Sequence, residues 1–290
     1  MVNSFLQHIQ YEKKYSSCTV FSYQNDIYQF QDFISQTYSI AIEQTELKHI
    51  RNWIIQLKQD NIKSSSVNRK ISALKSLFKY GLKNNYIKSN PCLKLQSLKT
   101  PKKLPVFFKE SELETALETE KKTENHFADV RNNIILEILY QTGIRRAELI
   151  GIKDSDFNFF SLTLRILGKG NKERVIPISK GLKEKVEEYI NIKNQIFDSP
   201  YLIVTDNGEQ AYPNLIYRVI KTSMGQVSSL QKRSPHVIRH SFASSLLNNG
   251  AEISAVKELL GHANLAATQI YTHTSYEQLK KTYKQAHPRK

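Results

Sequence analysis

The chain is 290 residues long and carries 42 Lys+Arg against 27 Asp+Glu, a formal net charge of +15, with a pI near 9.6. Its 40% hydrophobic content excludes global disorder, and the length suits two ordinary domains. The excess of positive charge points to a polyanionic partner, nucleic acid or an anionic membrane surface. No apolar run approaches the ~20 residues of a membrane span, and the N-terminal MVNSFLQHIQYEKK lacks the apolar core of a secretory signal. Two cysteines, Cys18 and Cys92, are too few for a disulfide framework or a zinc cluster, as expected in a reducing cytoplasm.

The first part of the chain reads as helices. Val2, Phe5, Leu6 and Ile9 share one helical face, Val20, Ile27, Phe30 and Ile34 another, and Leu47, Ile50, Trp53, Ile54 and Leu57 a third. In the fourth, SSSVNRKISALKSLFKYGLKNN, the residues Val67, Ile71, Leu74 and Phe78 form an apolar side. Arg69, Ser72, Ser76, Lys79 and Lys83 recur at steps of three or four on the opposite side, with Lys75 beside them. From Asn61 to Lys109 there are twelve Lys/Arg and no Asp or Glu. A basic, hydroxyl-rich helix face fits the DNA major groove, although an ordinary exposed face has the same composition.

The segment SNPCLKLQSLKTPKKLPVF, rich in proline and lysine, marks a connector, with the domain boundary near Leu98 to Leu104. Ser111 with Glu114 three residues on has the pattern of a capping box opening the next helix. Val130, Ile134, Ile135, Ile138 and Leu139 form an amphipathic helix that Gly143 stops. Leu162, Leu164 and Ile166 alternate, GKGNK turns, and RVIPI alternates again, which is a β-hairpin. Helices resume from there to the C-terminus. The expected architecture is mainly α: an all-α front domain, then an α+β domain with a small antiparallel sheet.

The chemistry-bearing residues cluster late. Ser234-Pro235 starts a helix with Ser as N-cap and Pro at the first position, which puts His236 and Arg239 together on its first turn. Alone, such a pair is common by chance, and a structural role is the better reading. The Gly-Lys turn at Lys169 is weak evidence for a phosphate cradle, and Lys172 competes with it. Arg145 and Arg146 follow the Gly143 stop, where an Arg ordinarily meets a helix dipole. Glu148 is placed either to orient one of them or as a plain helix residue. His262 resembles a cap-loop residue, and Tyr271 is one of 15 tyrosines.

Taken together, TGIRRAEL, GKGNKER, HVIRH, LLGH and QIYTH follow one another in a single order. In this the chain resembles the tyrosine recombinase (phage-integrase) family, and within it the bacterial Xer branch. The resemblance spans nearly the whole chain. It places Arg145 on the first catalytic arginine, Lys169 on the hairpin lysine, His236 and Arg239 on the second basic pair, His262 on the third, and Tyr271 on the nucleophile. It implies residues 1–98 as a DNA-binding helical domain, 99–105 as a linker and 106–290 as the catalytic domain. It further implies a tail after Tyr271 that docks on a neighbouring protomer, and no arm-binding extension ahead of the first helix. The implied partners are double-stranded DNA with a specific recombination site, and a homotetramer, or a heterotetramer with a sister recombinase, on two duplexes. A DNA translocase or accessory factor is a further implied partner.

These side chains suit attack on a phosphodiester without a metal or other cofactor. Two guanidiniums clamp the nonbridging oxygens as charge builds on them. At a pKa of ~10 only about one phenol in a thousand is ionised at neutral pH, so Tyr271 needs a base, and His236 is the candidate. His262 is placed to hydrogen-bond the phosphate, and Lys169 to protonate the leaving 5′-oxygen. Two other readings use part of the same pattern: a type IB topoisomerase-like relaxing enzyme, and a DNA-binding accessory protein that has lost catalysis.

Overall fold

The computed structural model describes residues 1–101, 106–119, 124–168 and 172–261, in two compact units, Met1–Lys103 and Leu104–Lys290. The first unit is helical, as its periodicity predicts. Helix α1 (Val2–Gln7) runs into a π-helical turn, His8–Glu12. Then come α2 (Ser17–Tyr38), α3 (Leu47–Gln59) and α4 (Ser64–Lys83). Helix α2 begins where the Ser16 hydroxyl accepts the Thr19 N–H at 3.3 Å. The predicted apolar stripes meet in one core: Ile27, Phe30 and Ile34, Ile50, Trp53 and Leu57, and Val67, Ile71, Leu74 and Phe78. At its centre the Phe30 ring lies 5.0 Å from Trp53 and 6.5 Å from Phe78. Val20, Leu47 and Ile54 lie at its margin, only partly buried.

A buried ion-pair cluster interrupts this core. Asp26 of α2 is 1% exposed, and its carboxylate pairs with Lys70 at 3.0 Å and with Arg69, both on α4. Lys70 also donates to Gln29. The acid-free basic stretch is therefore partly compensated by an acid from another helix. A buried carboxylate with two cationic partners satisfies the rule that interior charge must be paired.

In the second unit the first helix, α5 (Glu110–Glu118), departs from the sequence expectation. Its N-cap is Lys109, whose N–H donates to Glu112 at 2.9 Å, and the pair Ser111 and Glu114 is not used. Glu112 is three residues from that cap, the spacing a reciprocal bond requires. Helix α6 (His126–Thr142) was expected to be amphipathic but is buried on nearly every side, from Ile134 to Thr142. Helices α5, α8, α9 and α10 pack around it, so its polar residues must find partners inside. Arg131 donates to Val204 O at 3.3 Å and Asp206 at 2.7 Å, and Gln141 donates to Glu137 at 2.8 Å. The Ser179 hydroxyl donates to Gln141 at 2.8 Å and accepts the Leu182 N–H at 3.0 Å, which caps α8.

Helix α7 (Arg146–Gly151) leads to an antiparallel sheet of β1 (Phe157–Asn158), β2 (Thr163–Leu167) and β3 (Glu173–Pro177), in that order. The hairpin β2–β3 was expected. The short β1 was not, and Leu162, assigned to the strand by alternation, sits in a turn at φ 55°. The register sets Leu164 opposite Ile176 and Ile166 opposite Arg174. Leu164, Ile166 and Ile176 are buried, so Arg174 shares the core-facing side of β3. Helices α8 (Lys180–Ile196), α9 (Pro213–Gly225), α10 (Pro235–Asn248) and α11 (Ile253–Leu260) complete the described chain. Pro235 opens α10 as expected, but Ser234 caps it by extended backbone alone, with no side-chain bond. No helix among the described residues is long and apolar enough to cross a membrane.

Gly143 ends α6 in the left-handed region, at φ 60°, and a Cβ there would lie 2.3 Å from Phe242 Cδ1 of α10. Both the backbone conformation and the ring require glycine. Gly143→Ala is expected to lower unfolding free energy by roughly 2–4 kcal/mol, from left-handed strain and overpacking together. An unchanged urea midpoint would refute that origin.

Candidate active site

The turn after Gly143 places Arg145 as N-cap of α7. Its N–H donates to Glu148 Oε2 at 2.8 Å and its Nη1 to Glu148 Oε1 at 2.8 Å, while Nη2 donates to the carbonyl of Gly261 at 2.9 Å. Of the two sequence readings for Glu148, the structure takes the orienting one. Arg239, on the first turns of α10, is buried beneath its helix. It donates to Gly143 O and to Leu260 O, each at 2.6 Å. Burial first, then the charges of Arg145 and Arg174, bring its guanidinium down to about 10, against the opposing pull of Glu148. It is still charged at neutral pH.

A third guanidinium, which sequence reasoning missed, completes the cluster. Arg174 of β3 meets Glu148 fork to fork, Nη1 to Oε1 at 3.0 Å and Nη2 to Oε2 at 2.8 Å, and its Nε donates to Leu259 O at 3.1 Å. Three consecutive carbonyls at the end of α11, those of Leu259, Leu260 and Gly261, thus accept from Arg174, Arg239 and Arg145 respectively. A helix C-terminus has unpaired carbonyls and a negative dipole end, so cations suit it. The signal available in the sequence was parity. Arg174 lies two residues from the inward-facing Ile176, and an inward Arg on a sheet needs a buried acid.

Glu148 is 8% exposed. Burial alone raises its pKa, but hydrogen bonds from Arg174 and Arg145 and the Arg174 charge outweigh that and hold the carboxyl below its usual range. His236 stands exposed on the first turn of α10, its ring 4.5 Å from that of His240 and edge-on to it. Partial burial, then His240, Lys232, Arg239 and Arg145, keep His236 below the ordinary histidine range, which favours the neutral imidazole a base must offer. The structure therefore brings Arg145 and Arg239 to the same helix end, with His236 within their electrostatic reach. Lys169, His262 and Tyr271 lie outside the described residues, as does the tail after Tyr271. His262 directly follows Gly261 in the chain. Lys172, the rival of Lys169, is exposed. Among the described residues no group of three His, Cys, Asp or Glu is arranged to hold a metal ion.

On α4, Lys79, Lys83 and Ser72 are exposed, and Lys75 and Ser76 are half-buried. The Ser72 hydroxyl donates to Asn68 O at 2.9 Å. Arg69 is about half exposed, and its guanidinium donates to Asp26 and to Ser22 O.

Residues 106–278 match the phage integrase family, and residues 2–85 match the phage integrase N-terminal SAM-like domain. Tyrosine recombinase XerC of Staphylococcus aureus is 36% identical over 289 residues, covering 99% of this chain and 96% of the relative. The crystal structure of the XerH site-specific recombinase bound to palindromic difH substrate, a post-cleavage complex, superposes with a TM-score of 0.73 at 22% identity, covering 90% of this chain and 78% of that one. The Tn1549 transposon integrase in complex with transposon right end DNA gives a TM-score of 0.69 at 18% identity, covering 96% and 97%. These two structures share the fold.

Glu148→Gln removes the one carboxylate that two guanidiniums share, and breaking a buried pair of this kind costs about 3–5 kcal/mol. Because the folded-state pKa of Glu148 is depressed, its contribution is full above the unfolded value of about 4.3 and fades as pH falls through the folded value. Urea unfolding across a pH series should show a constant gap between wild type and Glu148→Gln near neutrality that closes in acid. A gap of equal size at every pH would contradict the assignment.

Proposed function

Because the chain belongs to the phage integrase family and is a tyrosine site-specific recombinase, we propose that it cuts and rejoins double-stranded DNA through a 3′-phosphotyrosyl ester on Tyr271 and a Holliday-junction intermediate. The observation that carries this reading is the meeting of Arg145 and Arg239 at the carbonyls of Gly261 and Leu260, the two residues that precede His262. Likeness to a recombinase along 99% of the chain favours strand exchange over simple relaxation or silent binding.

In the proposed reaction, Arg145 and Arg239 turn their remaining N–H donors to the nonbridging oxygens of the scissile phosphate. Fixed donors aimed at developing charge need no rearrangement as the phosphorane forms. The Tyr271 oxygen attacks phosphorus while His236 takes the phenolic proton. The bond to the 5′-oxygen breaks, and that oxygen receives a proton from Lys169. His262 donates to the phosphate. The resulting ester keeps the energy of the broken linkage, so a 5′-hydroxyl from a partner strand reverses the steps without ATP or a cofactor. Residues 1–98 serve as the DNA-binding domain and 106–290 as the catalytic domain, joined by 99–105. Arg69, Ser72, Lys75, Ser76, Lys79 and Lys83 form the DNA-contacting face of α4. Four protomers, of one kind or with a sister recombinase, hold two duplexes in the cytoplasm. The biological role is Xer-like resolution of chromosome or plasmid dimers, or integration of a mobile element. A DNA translocase or accessory factor serves as activator in the first.

Incubation with a nicked cognate site, from which the cleaved piece diffuses away, should trap a protein–DNA adduct that resists denaturation. Tyr271→Phe should abolish it. An adduct that persists in that variant would shift the nucleophile to another phenol. Lys79→Ala with Lys83→Ala should weaken binding to all DNA sequences alike and flatten the slope of log K against log[salt] by roughly two. An unaltered slope would remove α4 from the phosphate contacts.

A further inference from the structure

Arg174 joins Glu148 to the end of α11. It is largely buried, with side-chain exposure of 11%, and three of its donors go to Glu148 and Leu259 O. Two glycines pack against it. A Cβ on Gly168 would lie 3.6 Å from Arg174 Nη1 and 3.8 Å from Glu148 Oε1, and a Cβ on Gly261 would lie 3.3 Å from Arg174 Cδ and Nη1. Gly168 immediately precedes Lys169, and its N–H donates to Lys172 O at 2.7 Å, closing the base of the hairpin loop. Gly261 immediately precedes His262. Through Glu148 the same guanidinium fixes Arg145.

We propose that Arg174 is a positioning residue for strand cleavage, which locks the base of the Lys169 hairpin, the Arg145 turn and the end of α11 into one register. The proposal rests on the recombinase chemistry assigned above to Lys169, Arg145 and His262. The two-point contact with Glu148 demands a planar fork, and an ammonium at the same position keeps the charge but holds only one oxygen at a time. The hairpin base then loses its fixed relation to the Arg145 turn. Misplacement of catalytic groups by about 1 Å costs on the order of 100-fold. The loss falls on the chemical step, because Arg174→Lys keeps the positive charge that DNA meets and removes only the fork that holds Glu148 and Leu259 O.

The test is single-turnover cleavage by Arg174→Lys at saturating DNA, on two nicked substrates: one with the ordinary 5′-oxygen leaving group, one with sulfur in its place. A thiolate departs without a proton, so a misplaced Lys169 matters less on the sulfur substrate. Arg174→Lys should bind DNA as wild type does, cleave the oxygen substrate roughly 10- to 100-fold more slowly, and recover part of that loss on the sulfur substrate. Cleavage at the wild-type rate overturns the proposal. So does a loss that more DNA removes, or one of equal size on both substrates. If Arg174→Lys does not fold, Arg174→Gln takes its place with the same expected signature, and failure of both to fold makes Arg174 a structural strut and overturns the proposal. Wild type and Tyr271→Phe run alongside. An adduct in both, or in neither, defeats the nucleophile assignment, whereas wild-type cleavage by Arg174→Lys with Tyr271→Phe inactive defeats only the role of Arg174.

Discussion

The carboxylate of Glu148 is the contact on which the arginine cluster of the second unit depends. Guanidiniums repel one another, and Arg145 and Arg174 lie close enough to Arg239 to lower its pKa. A buried anion between two of them makes their approach affordable. Glu148 accepts from Arg145 on its own turn and from Arg174 across the sheet, so a local helix start and a long-range strand pairing close on the same two oxygens. The end of α11 supplies the remaining acceptors as three successive carbonyls, which ties the last described helix to both.

The elements whose shape follows from local chemistry were legible in the chain. Apolar spacing located α2, α3 and α4, the Gly143 stop located the end of α6, and alternation located the β2–β3 hairpin. The failures have separate causes. The burial of α6 on all sides depends on helices far away in sequence, which periodicity along one segment cannot register. The start of α5 was misplaced because two overlapping patterns, Ser111 with Glu114 and Lys109 with Glu112, compete within a few residues, and only backbone geometry decides between them. At the site, Arg145, Arg239 and Glu148 stood out as a local motif and a first-turn pair. Arg174 did not, because its partner lies 26 residues away and its meaning emerges only from the side of the sheet it faces.

The first unit shows the same discipline on a smaller scale. Counting basic residues treats each as a free cation, but Asp26 draws Arg69 and Lys70 into its own neighbourhood. Lys70 belongs to the interior of the bundle, and Arg69 to its edge. The exposed Lys79 and Lys83, a few turns along α4, carry no such tie among the ion pairs of the described residues. Net charge therefore locates a tendency, and the pairing pattern says where along the helix that tendency is available.

The arginine cluster has a consequence for timing. Three guanidiniums against one carboxylate leave a surplus of two positive charges, moderated at rest by the carbonyls that end α11. A phosphodiester brings one negative charge and its pentacoordinate phosphorane brings two. If the scissile phosphate docks as proposed, the surplus of the arginine–glutamate cluster is only half matched when substrate is bound and is matched in full only at the summit of the reaction. Affinity for the resting strand and affinity for the reacting one are then separate quantities, set by the same few atoms.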